Sequence, residues 1–296
     1  MMDNQFLTPV EVAEMLQIKK NTVYDMIKRG DLKATKMGKQ FRITLKDVYE
    51  YMGTDMPGEQ EQDIVLCGQD AILDILSAMY NRGLKKGMKH LLRSQMGSYN
   101  GLFEMYQNEG YIATAHLWDS ETDTYNIPYM KKMLPGEQIA VYHLIDRMQG
   151  LYVTKGNPLG ICNIEDIAAQ NATLVNREKG SGIRVYLDEK LKQLGISPNE
   201  IKGYYTNTAT SHMQAAAMVA RGNGDVSLGS QRVAVQVPEI DFIPQKRESY
   251  DIVFREADLE KDSGKRILDI IKSEEFKNQL GAFDGYYTDR IGERVY

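Results

Sequence analysis

A polar, acidic segment near the N-terminus divides this chain into two parts that would not share one hydrophobic core. Residues 53–63 read Gly-Thr-Asp-Met-Pro-Gly-Glu-Gln-Glu-Gln-Asp, a composition typical of a linker. A chain of 296 residues is expected to form about two domains. The sequence therefore predicts a small domain over residues 1–52, a linker, and a large domain over residues 64–296.

The two predicted domains differ in charge, although the whole chain has a net charge of −5. Residues 1–52 contain nine Lys or Arg and seven Asp or Glu, whereas the remaining residues contain 27 basic and 34 acidic side chains. A basic module attached to an acidic body indicates that the two domains contact different partners.

The small domain has the start and stop signals of three short helices and a hairpin. Thr8, followed by Pro9 and then by Glu11 at the third position on, predicts a capped helix over residues 8–16. The further predicted elements are a helix from Lys20 to Arg29 that Gly30 ends, strands at residues 32–35 and 40–43, and a helix over residues 45–52. Two short helices with a three-residue turn, followed by a hairpin, are typical of a winged helix-turn-helix.

The second predicted helix and the hairpin carry side chains of the types that contact phosphates and base edges. The candidate DNA-contacting residues are Lys19, Lys20, Asn21, Thr22, Tyr24, Lys28, Lys39 and Arg42. The alternative interpretation is a small helical dimerisation module whose basic face is simply solvated. Helix-turn-helix proteins usually read paired half-sites, so a homodimer is expected if the DNA interpretation holds.

A resemblance favours the DNA interpretation. The pattern Leu7-Thr8-Pro9-x-Glu11-Val12-Ala13-x-x-Leu16-x-Ile18-Lys19-x-x-Thr22-Val23-Tyr24, continued by Gly30 and by Gly38-x-x-Phe41-Arg42-Ile43, resembles the excisionase and MerR-related winged helix-turn-helix. The likeness covers nearly all of residues 6–52. It implies that the second helix enters the major groove and that the wing reaches the backbone or the minor groove.

The large domain alternates strand-like and helix-like segments, which predicts an α/β fold with mostly parallel sheets. In such folds ligands bind at the carboxyl ends of the strands. Four predicted strand ends have a small or polar residue that opens a helix: Gly68-Gln69-Asp70, Gly97-Ser98-Tyr99-Asn100, Gly180-Ser181-Gly182 and Thr210-Ser211-His212. Free N–H groups at helix starts would hold an oxyanion with few basic side chains.

The segment Arg177-x-x-x-Ser181-Gly182 is the most specific of these candidates. Gly182 would let a ligand approach the backbone, Ser181 and the following N–H groups would clamp anion oxygens, and Arg177 would add a bidentate charge. The alternative is an ordinary tight turn between a strand and a helix, with Arg177 in a surface ion pair.

Several blocks of the large domain, in order, resemble cytoplasmic domains related to type II periplasmic binding proteins, often described as molybdate-binding-like and fused to a helix-turn-helix. The blocks include His116-Leu117-x-Asp119-x-Glu121-Thr122, Gln149-Gly150-Leu151-x-Val153, Val175-Asn176-Arg177-x-x-Gly180-Ser181-Gly182 and Asp241-Phe242-Ile243-Pro244. The resemblance implies two α/β lobes with a cleft between them and hinges near residues 143–150 and 238–250. The Arg177 block is also similar to the oxyanion loop of phosphate- and tungstate-binding receptors.

The candidate ligand-binding residues of the cleft are Gln69, Ser98, Tyr99, His116, Arg177, Ser181, Gly182, Ser211 and Tyr250. The resemblance implies molybdate or tungstate as the ligand. The first loop and Ile183 depart from the family pattern, however, which leaves a second interpretation open. In that interpretation Tyr99, Trp118, Tyr129, Tyr204, Tyr205 and Tyr250 line a pocket for an aromatic or purine-like molecule.

Composition excludes several other classes. Two distant cysteines and four scattered histidines argue against a disulfide framework and against a metal site, and no cofactor is expected. No apolar run reaches the ~18 residues of a membrane helix, and Met1-Met2-Asp3-Asn4-Gln5 does not begin a secretory signal, so a cytoplasmic location is expected. Cys67, His116 and Asp70 have no spacing that supports a nucleophilic enzyme.

The sequence thus predicts a non-enzymatic, cytoplasmic transcription regulator that binds DNA through residues 1–52 and senses a small oxyanion, with molybdate or tungstate as the first candidates, in its large domain. A non-regulatory solute-binding protein is the alternative outside transcription, and a receptor for a transporter would need export.

Overall fold

A computed structural model describes residues 6–38, 40–53, 63–85 and 88–296 of the chain. The residues form two compact units, Met1–Gln62 and Asp63–Tyr296. Residues 54–62 of the predicted linker and the candidate Lys39 lie outside the described residues.

The first unit is a winged helix-turn-helix, as the sequence predicts. Its elements are β1 (Phe6–Leu7), α1 (Pro9–Met15), α2 (Lys20–Arg29), β2 (Thr35–Met37), β3 (Gln40–Thr44) and α3 (Leu45–Met52). The strands form a sheet in the order β1-β3-β2, in which β2 and β3 are the wing. The Thr8 hydroxyl accepts from the Glu11 N–H, and the Glu11 carboxylate accepts from the Thr8 N–H, so the predicted capping box is present.

A small core holds α1 and α2 against the sheet. Val12, Val23, Met26 and Ile43 are all buried within it. Gly30 ends α2 at φ +80°, a left-handed conformation that glycine adopts without a Cβ clash. The apolar side chains of α2 are therefore buried in the core, and its polar side chains lie on the outer face.

The second unit alternates strands and helices. Its strands are β4 (Ile64–Cys67), β5 (Leu91–Ser94), β6 (Tyr111–Ala115), β7 (Trp118–Asp119), β8 (Thr124–Tyr125), β9 (Ile139–Thr154), β10 (Leu174–Arg177), β11 (Thr208–Ala209), β12 (Val226–Ser230), β13 (Ile240–Arg255) and β14 (Tyr286–Tyr287). Its α-helices are α4 (Ile72–Asn81), α5 (Ser98–Gln107), α6 (Ile127–Met133), α7 (Glu165–Ala169), α8 (Gly182–Leu194), α9 (His212–Ala220), α10 (Gln231–Val235), α11 (Glu256–Leu259), α12 (Asp262–Lys272) and α13 (Glu274–Gly281), with a 3₁₀ turn at Pro198–Glu200.

Two long strands, β9 and β13, join two lobes. The main sheet has the strand order β11-β10-β12-β9-β13-β6-β4-β5. The first lobe contains β4, β5 and β6, and the second lobe contains β10, β11 and β12. The pairs β4–β5, β4–β6, β10–β11 and β10–β12 are parallel, whereas β9 and β13 pair antiparallel with each other along their length. The expectation of mostly parallel pairing therefore holds within each lobe only.

The sequence predicts separate short strands at residues 141–144 and 149–153, and again at 242–244 and 250–254. The structure corrects this, because each pair is one continuous strand. Charged residues interrupt the apolar pattern in both strands, but in the fold the central charges pair across them, Arg147 with Glu248 and Asp146 with Arg247. The segments predicted as hinges, residues 143–150 and 238–250, lie in the middle of β9 and over the N-terminal part of β13.

Alternating side chains cover both faces of the sheet in each lobe. In β6, Ile112 packs into a core with α4 and α12, while Ala113 packs into a core with α5 and α6. In β10, Leu174 packs with α8 and Val175 packs with α9. Each lobe is therefore a helix–sheet–helix sandwich, and the strand ends that carry the candidate residues face the other lobe.

Candidate functional site

The starts of helices α5 and α8 meet between the two lobes. The Tyr99 N–H donates to the Gly180 carbonyl at 3.0 Å. A Cβ added to Gly97 would lie 2.7 Å from the Gly180 carbonyl oxygen and 2.9 Å from the Ser181 nitrogen. The lobes are thus in backbone contact, and the structure brings the predicted Ser98 and Ser181 helix starts together.

A small cavity lies behind this contact. It has a volume of about 10 Å³, which is room for about one water molecule. Its lining residues are Gly68, Gln69, Asp70, Met96, Gly97, Ser98, Thr114, His116, Arg147, His212 and Tyr250. Four of the predicted ligand residues, Gln69, Ser98, His116 and Tyr250, therefore line one narrow space, named here the inner cavity.

His116 connects three elements around the inner cavity. The imidazole Nδ1 of His116 lies 2.8 Å from a carboxylate oxygen of Glu248 in β13, and the backbone N–H of His116 donates to the Ser98 hydroxyl at 3.2 Å. A Cβ on Gly182 would lie 2.5 Å from the imidazole Cε1. Only glycine at position 182 lets α8 of the second lobe lie against this ring.

Tyr250 forms another wall of the inner cavity. Its hydroxyl lies 2.7 Å from that of Thr114, and the Arg147 guanidinium lies 4.6 Å from the ring centre. Burial raises the pKa of Tyr250 to about 12, with a further contribution from Asp70. The phenol is therefore neutral at ordinary pH and fixed in place.

Arg177 is at the end of β10 and is almost fully buried. Its Nε and Nη2 donate to the two carboxylate oxygens of Glu178 at 2.8 and 2.9 Å. Its Nη2 also donates to the Gln69 amide oxygen at 2.8 Å, and the Gln69 amide donates to Glu178 at 2.9 Å. Because Gln69 belongs to the first lobe, these three side chains, named here the Arg177 clamp, tie the lobes together.

Two buried nitrogen atoms beside the clamp have no hydrogen-bond partner within the described part of the chain. They are Nη1 of Arg177 and Nδ1 of His212, the first residue of α9. Burial lowers the pKa of His212 well below 6.5, and the charges of Arg177 and Arg147 lower it further. A buried polar atom without a partner is costly, so Nη1 of Arg177, an N–H donor, marks a place where a ligand oxygen would gain a hydrogen bond.

Arg147, in the middle of β9, is the central residue that our sequence analysis missed. It is buried and forms ion pairs with Asp70 of the first loop and Glu248 of β13. The Tyr286 hydroxyl donates to the same Asp70 at 2.5 Å. A charged residue within an otherwise apolar strand is itself a signal, because buried charges are nearly always paired.

The predicted residues Ser181, Ser211 and Tyr99 do not line the inner cavity. The Ser181 hydroxyl donates to the Glu178 carbonyl at 3.0 Å and is thus engaged within the loop. The Ser211 hydroxyl caps α9 by accepting from the Gln214 N–H. The Tyr99 side chain is 43% exposed.

A wider groove of about 370 Å³ lies outside the inner cavity. It shares Gln69, Asp70 and His212 with that cavity, and its further lining residues are Ala71, Gln95, Thr210, Ser211, Met213, Ser230, Arg232, Val233, Gln236 and Tyr286. We name it the outer groove. Of the predicted aromatic set only Tyr250 lines one of these spaces, so the predicted aromatic pocket is not assembled around this cleft. Tyr99, Trp118, Tyr129, Tyr204 and Tyr205 line neither.

Apart from Lys39, which lies outside the described residues, the candidate DNA-contacting residues lie at the start of α2, along its outer face and on β3. Lys19, Lys20, Asn21, Thr22 and Lys28 are exposed. Tyr24 is half-buried, with its ring edge against Phe41 at 6.1 Å and the Lys20 ammonium 5.8 Å from its centre. Arg42 of β3 is also half-buried. Among the residues that the structure describes, no side chain caps the start of α2, which leaves its first N–H groups for a phosphate.

Two observations bear on other chemistries. Within residues 6–38, 40–53, 63–85 and 88–296, no group of three or more His, Cys, Asp or Glu side chains is placed to hold a metal ion, and no helix has the length and apolar character that a membrane crossing requires. Burial raises the pKa of the Cys67 thiol to about 12, which opposes its use as a nucleophile at neutral pH.

Comparisons with known proteins identify both units. Residues 6–54 match the family described as helix-turn-helix domain, and residues 82–272, more than half of the chain, match the family described as PBP superfamily domain. The chain belongs to the PBP superfamily. Neither family description names an enzymatic activity. A helix-turn-helix joined to a PBP-like domain supports a DNA-binding regulator that carries a ligand-binding domain.

One full-length relative and two solved structures illustrate the likeness. The uncharacterized protein YvgK of Bacillus subtilis is 38% identical over 96% of both chains. The tungstate ABC transporter from Geobacter sulfurreducens, at 13% identity and a TM-score of 0.54, covers 76% of this chain and 99% of its own. The effector binding domain of a BenM variant, at 13% identity and a TM-score of 0.52, covers 77% of this chain and 100% of its own. At these identities the two structures establish the PBP-like fold alone.

Proposed function

We propose that the protein is a transcription regulator whose PBP-like cleft senses a small oxyanion, with molybdate and tungstate as the first candidates. The observation that carries this proposal is the buried Arg177 guanidinium, whose Nη1 has no partner among the described residues. The starts of α5, α8 and α9 surround the same cleft and supply N–H donors. A fully deprotonated dianion suits such donors, because all of its oxygens accept hydrogen bonds and none donates.

The closed cleft bears on how the ligand enters. A tetrahedral oxyanion does not fit a space that holds about one water molecule. The lobes must therefore separate, take up the anion and close on it. Such a two-state motion about β9 and β13 would change the placement of the attached helix-turn-helix, which is how ligand binding would alter DNA affinity.

On the DNA side, we propose that α2 enters the major groove through Asn21, Thr22 and Tyr24, while Lys19, Lys20, Lys28, Lys39 and Arg42 contact phosphates. A homodimer would present two such helices to paired half-sites. This activity places the protein in the cytoplasm.

A small organic effector is the second candidate, and the outer groove is the observation that favours it. Its volume of about 370 Å³ is within the ~300–1,000 Å³ range of small-molecule sites. Met213, Val233 and Tyr286 give it apolar contact area beside the polar clamp.

Calorimetry of the full chain with molybdate, tungstate, phosphate and sulfate tests the oxyanion proposal. Arg177→Lys keeps a cation but removes the planar fork, and we expect it to lose ~10- to 150-fold in affinity, the equivalent of one charge-assisted hydrogen bond. Arg221→Gln, an exposed position at the end of α9, is the control and should bind like wild type. Binding of an aromatic or purine-like compound, with no heat from any of the four oxyanions, would replace the proposal with the organic one.

A further inference from the structure

The Glu178 carboxylate holds the Arg177 clamp in a geometry that an oxyanion would also adopt. Its two oxygens accept hydrogen bonds from Nε and Nη2 of Arg177 as a bidentate pair, and one of them also accepts from the Gln69 amide. Arginine grips carboxylates and tetrahedral oxyanions through the same parallel pair of N–H groups. With Glu178 in place, an arriving anion reaches only the single unpaired Nη1.

Glu178 also makes the contact between lobes that a ligand makes in a two-lobed binding domain. Its own loop belongs to the second lobe, and Gln69 belongs to the first. The carboxylate therefore bridges the cleft from within the chain.

From these contacts we infer that Glu178 is an internal competitor for the anion: it occupies the Arg177 fork, holds the lobes closed, and must be displaced before an oxyanion is gripped. This inference rests on the proposed oxyanion function. It makes Glu178 the residue that determines how tightly an oxyanion must bind Arg177 to occupy the cleft. It also implies charge selection, because only a ligand that binds the fork better than a carboxylate replaces it.

The surroundings allow this exchange. The Glu178 side chain is 23% exposed, so it has a path to water, whereas the Arg177 side chain is 1% exposed and stays. The backbone of the loop is held independently of the carboxylate, because the Ser181 hydroxyl donates to the Glu178 carbonyl and Nη1 of Arg184 donates to the Arg177 carbonyl at 3.0 Å. The carboxylate can thus swing out without unfolding the loop.

Repulsion points to displacement rather than to binding beside Glu178. Asp70 lines the inner cavity, and Glu248 lies behind it against Arg147 and His116. The pairing of both carboxylates with Arg147 leaves that cluster with no excess positive charge. If Glu178 stayed on the Arg177 guanidinium, a dianion bound to the same guanidinium would lie next to the Glu178 carboxylate. The two negative charges would repel each other strongly in a buried site.

The test compares wild type with Glu178→Gln in the full chain, with molybdate as the probe. We expect molybdate to bind Glu178→Gln at least tenfold more tightly, since the competing charge is gone. Glu165→Gln, an exposed acid of the same lobe, removes the same charge outside the cleft and should bind like wild type. Glu178→Ala is the second variant, for the case in which the side-chain amide of Glu178→Gln rearranges the hydrogen bonds of the Arg177 clamp. It keeps the backbone carbonyl that accepts from Ser181.

A measurement without ligand separates this inference from the proposed function. Spin labels on the exposed Cys162 of the second lobe and on a Glu109→Cys substitution of the first lobe report the distance between the lobes. Glu178→Gln should lengthen that distance. If neither wild type nor variant binds molybdate, the proposed ligand is wrong, and the label distance alone decides whether Glu178 closes the cleft. Unchanged or weaker molybdate binding by Glu178→Gln, or an unchanged label distance, would overturn the inference and make Glu178 a residue that merely positions Arg177.

Discussion

Arg147 and Glu248 are paired in register across β9 and β13, and their buried side chains form an ion pair at the point where the two lobes join. Burial alone would raise the pKa of Glu248, but the charges of Arg147 and His116 outweigh burial and lower it to about 2. Asp70 extends the pair into the first lobe. The junction between the lobes is therefore held by paired charges as well as by apolar packing.

Replacing Glu248 should reveal this pair as a pH-dependent contribution to stability. The carboxylate has a lower pKa in the folded protein than its ordinary 4.5, so it stabilises the fold fully above pH 4.5 and progressively less as the pH falls towards 2. Glu248→Gln leaves Arg147 partly uncompensated and should cost about 3–5 kcal/mol at pH 7. Urea unfolding from pH 7 to pH 3 checks both points, with the exposed Glu260→Gln as the control. Parallel pH profiles for wild type and Glu248→Gln would contradict this account.

Adding a methyl group at Gly182 should disturb lobe closure. The new Cβ would lie 2.5 Å from the His116 ring, so either the ring or α8 must move. We expect Gly182→Ala to weaken oxyanion binding by at least ~10-fold, the equivalent of about 1.4 kcal/mol. Gly281→Ala, where the added Cβ has open space, is the matched control for calorimetry. Equal affinities of the two variants would show that His116 and α8 need not touch in the bound state.

Substitutions on the outer face of α2 should distinguish residues that contact DNA phosphates from residues that contact bases. Lys20→Gln should weaken binding to all DNA sequences and reduce the slope of log affinity against log salt by about one, whereas Asn21→Ala should change sequence preference. Lys46→Gln on α3 is the charge-matched control. Binding titrations at several salt concentrations measure both effects, and a Lys20→Gln salt slope equal to that of wild type would remove this residue from the interface.

The two cysteines should differ sharply in reactivity. Cys162 is exposed, while Cys67 is buried and burial raises its pKa to about 12. A thiol reagent at pH 8 should therefore modify one thiol per chain rapidly and the second only on unfolding. Cys162→Ser should abolish the rapid phase; its persistence in that variant would mean that the β4 end opens readily.

Local sequence signals located the three helices of the first unit, whereas the first wing strand was predicted at residues 32–35 and lies at Thr35–Met37. Thr8 with Glu11 begins α1, and Gly30 ends α2, because caps are interactions within three or four residues of the chain. The bounds of α2 and α3 follow the predicted ones for the same reason. In the second unit the sequence also indicated the loops that face the cleft, since each one is a strand end followed by a helix start.

Local sequence signals could not predict the continuity of β9 or the Arg177 clamp. Arg147 breaks the apolar pattern of its strand and is tolerated only because Glu248 and Asp70, far along the chain, neutralise it. Likewise Arg177 and Gln69 are separated by 108 positions, and no local pattern predicts their contact. The sequence by itself determined the two-unit organisation, the winged helix and the candidate loops, because these depend on caps, periodicity and turn residues. Only the tertiary structure decided which charges are paired, which donors remain free and how closely the lobes meet, because burial and ion pairing depend on residues brought together from distant parts of the chain.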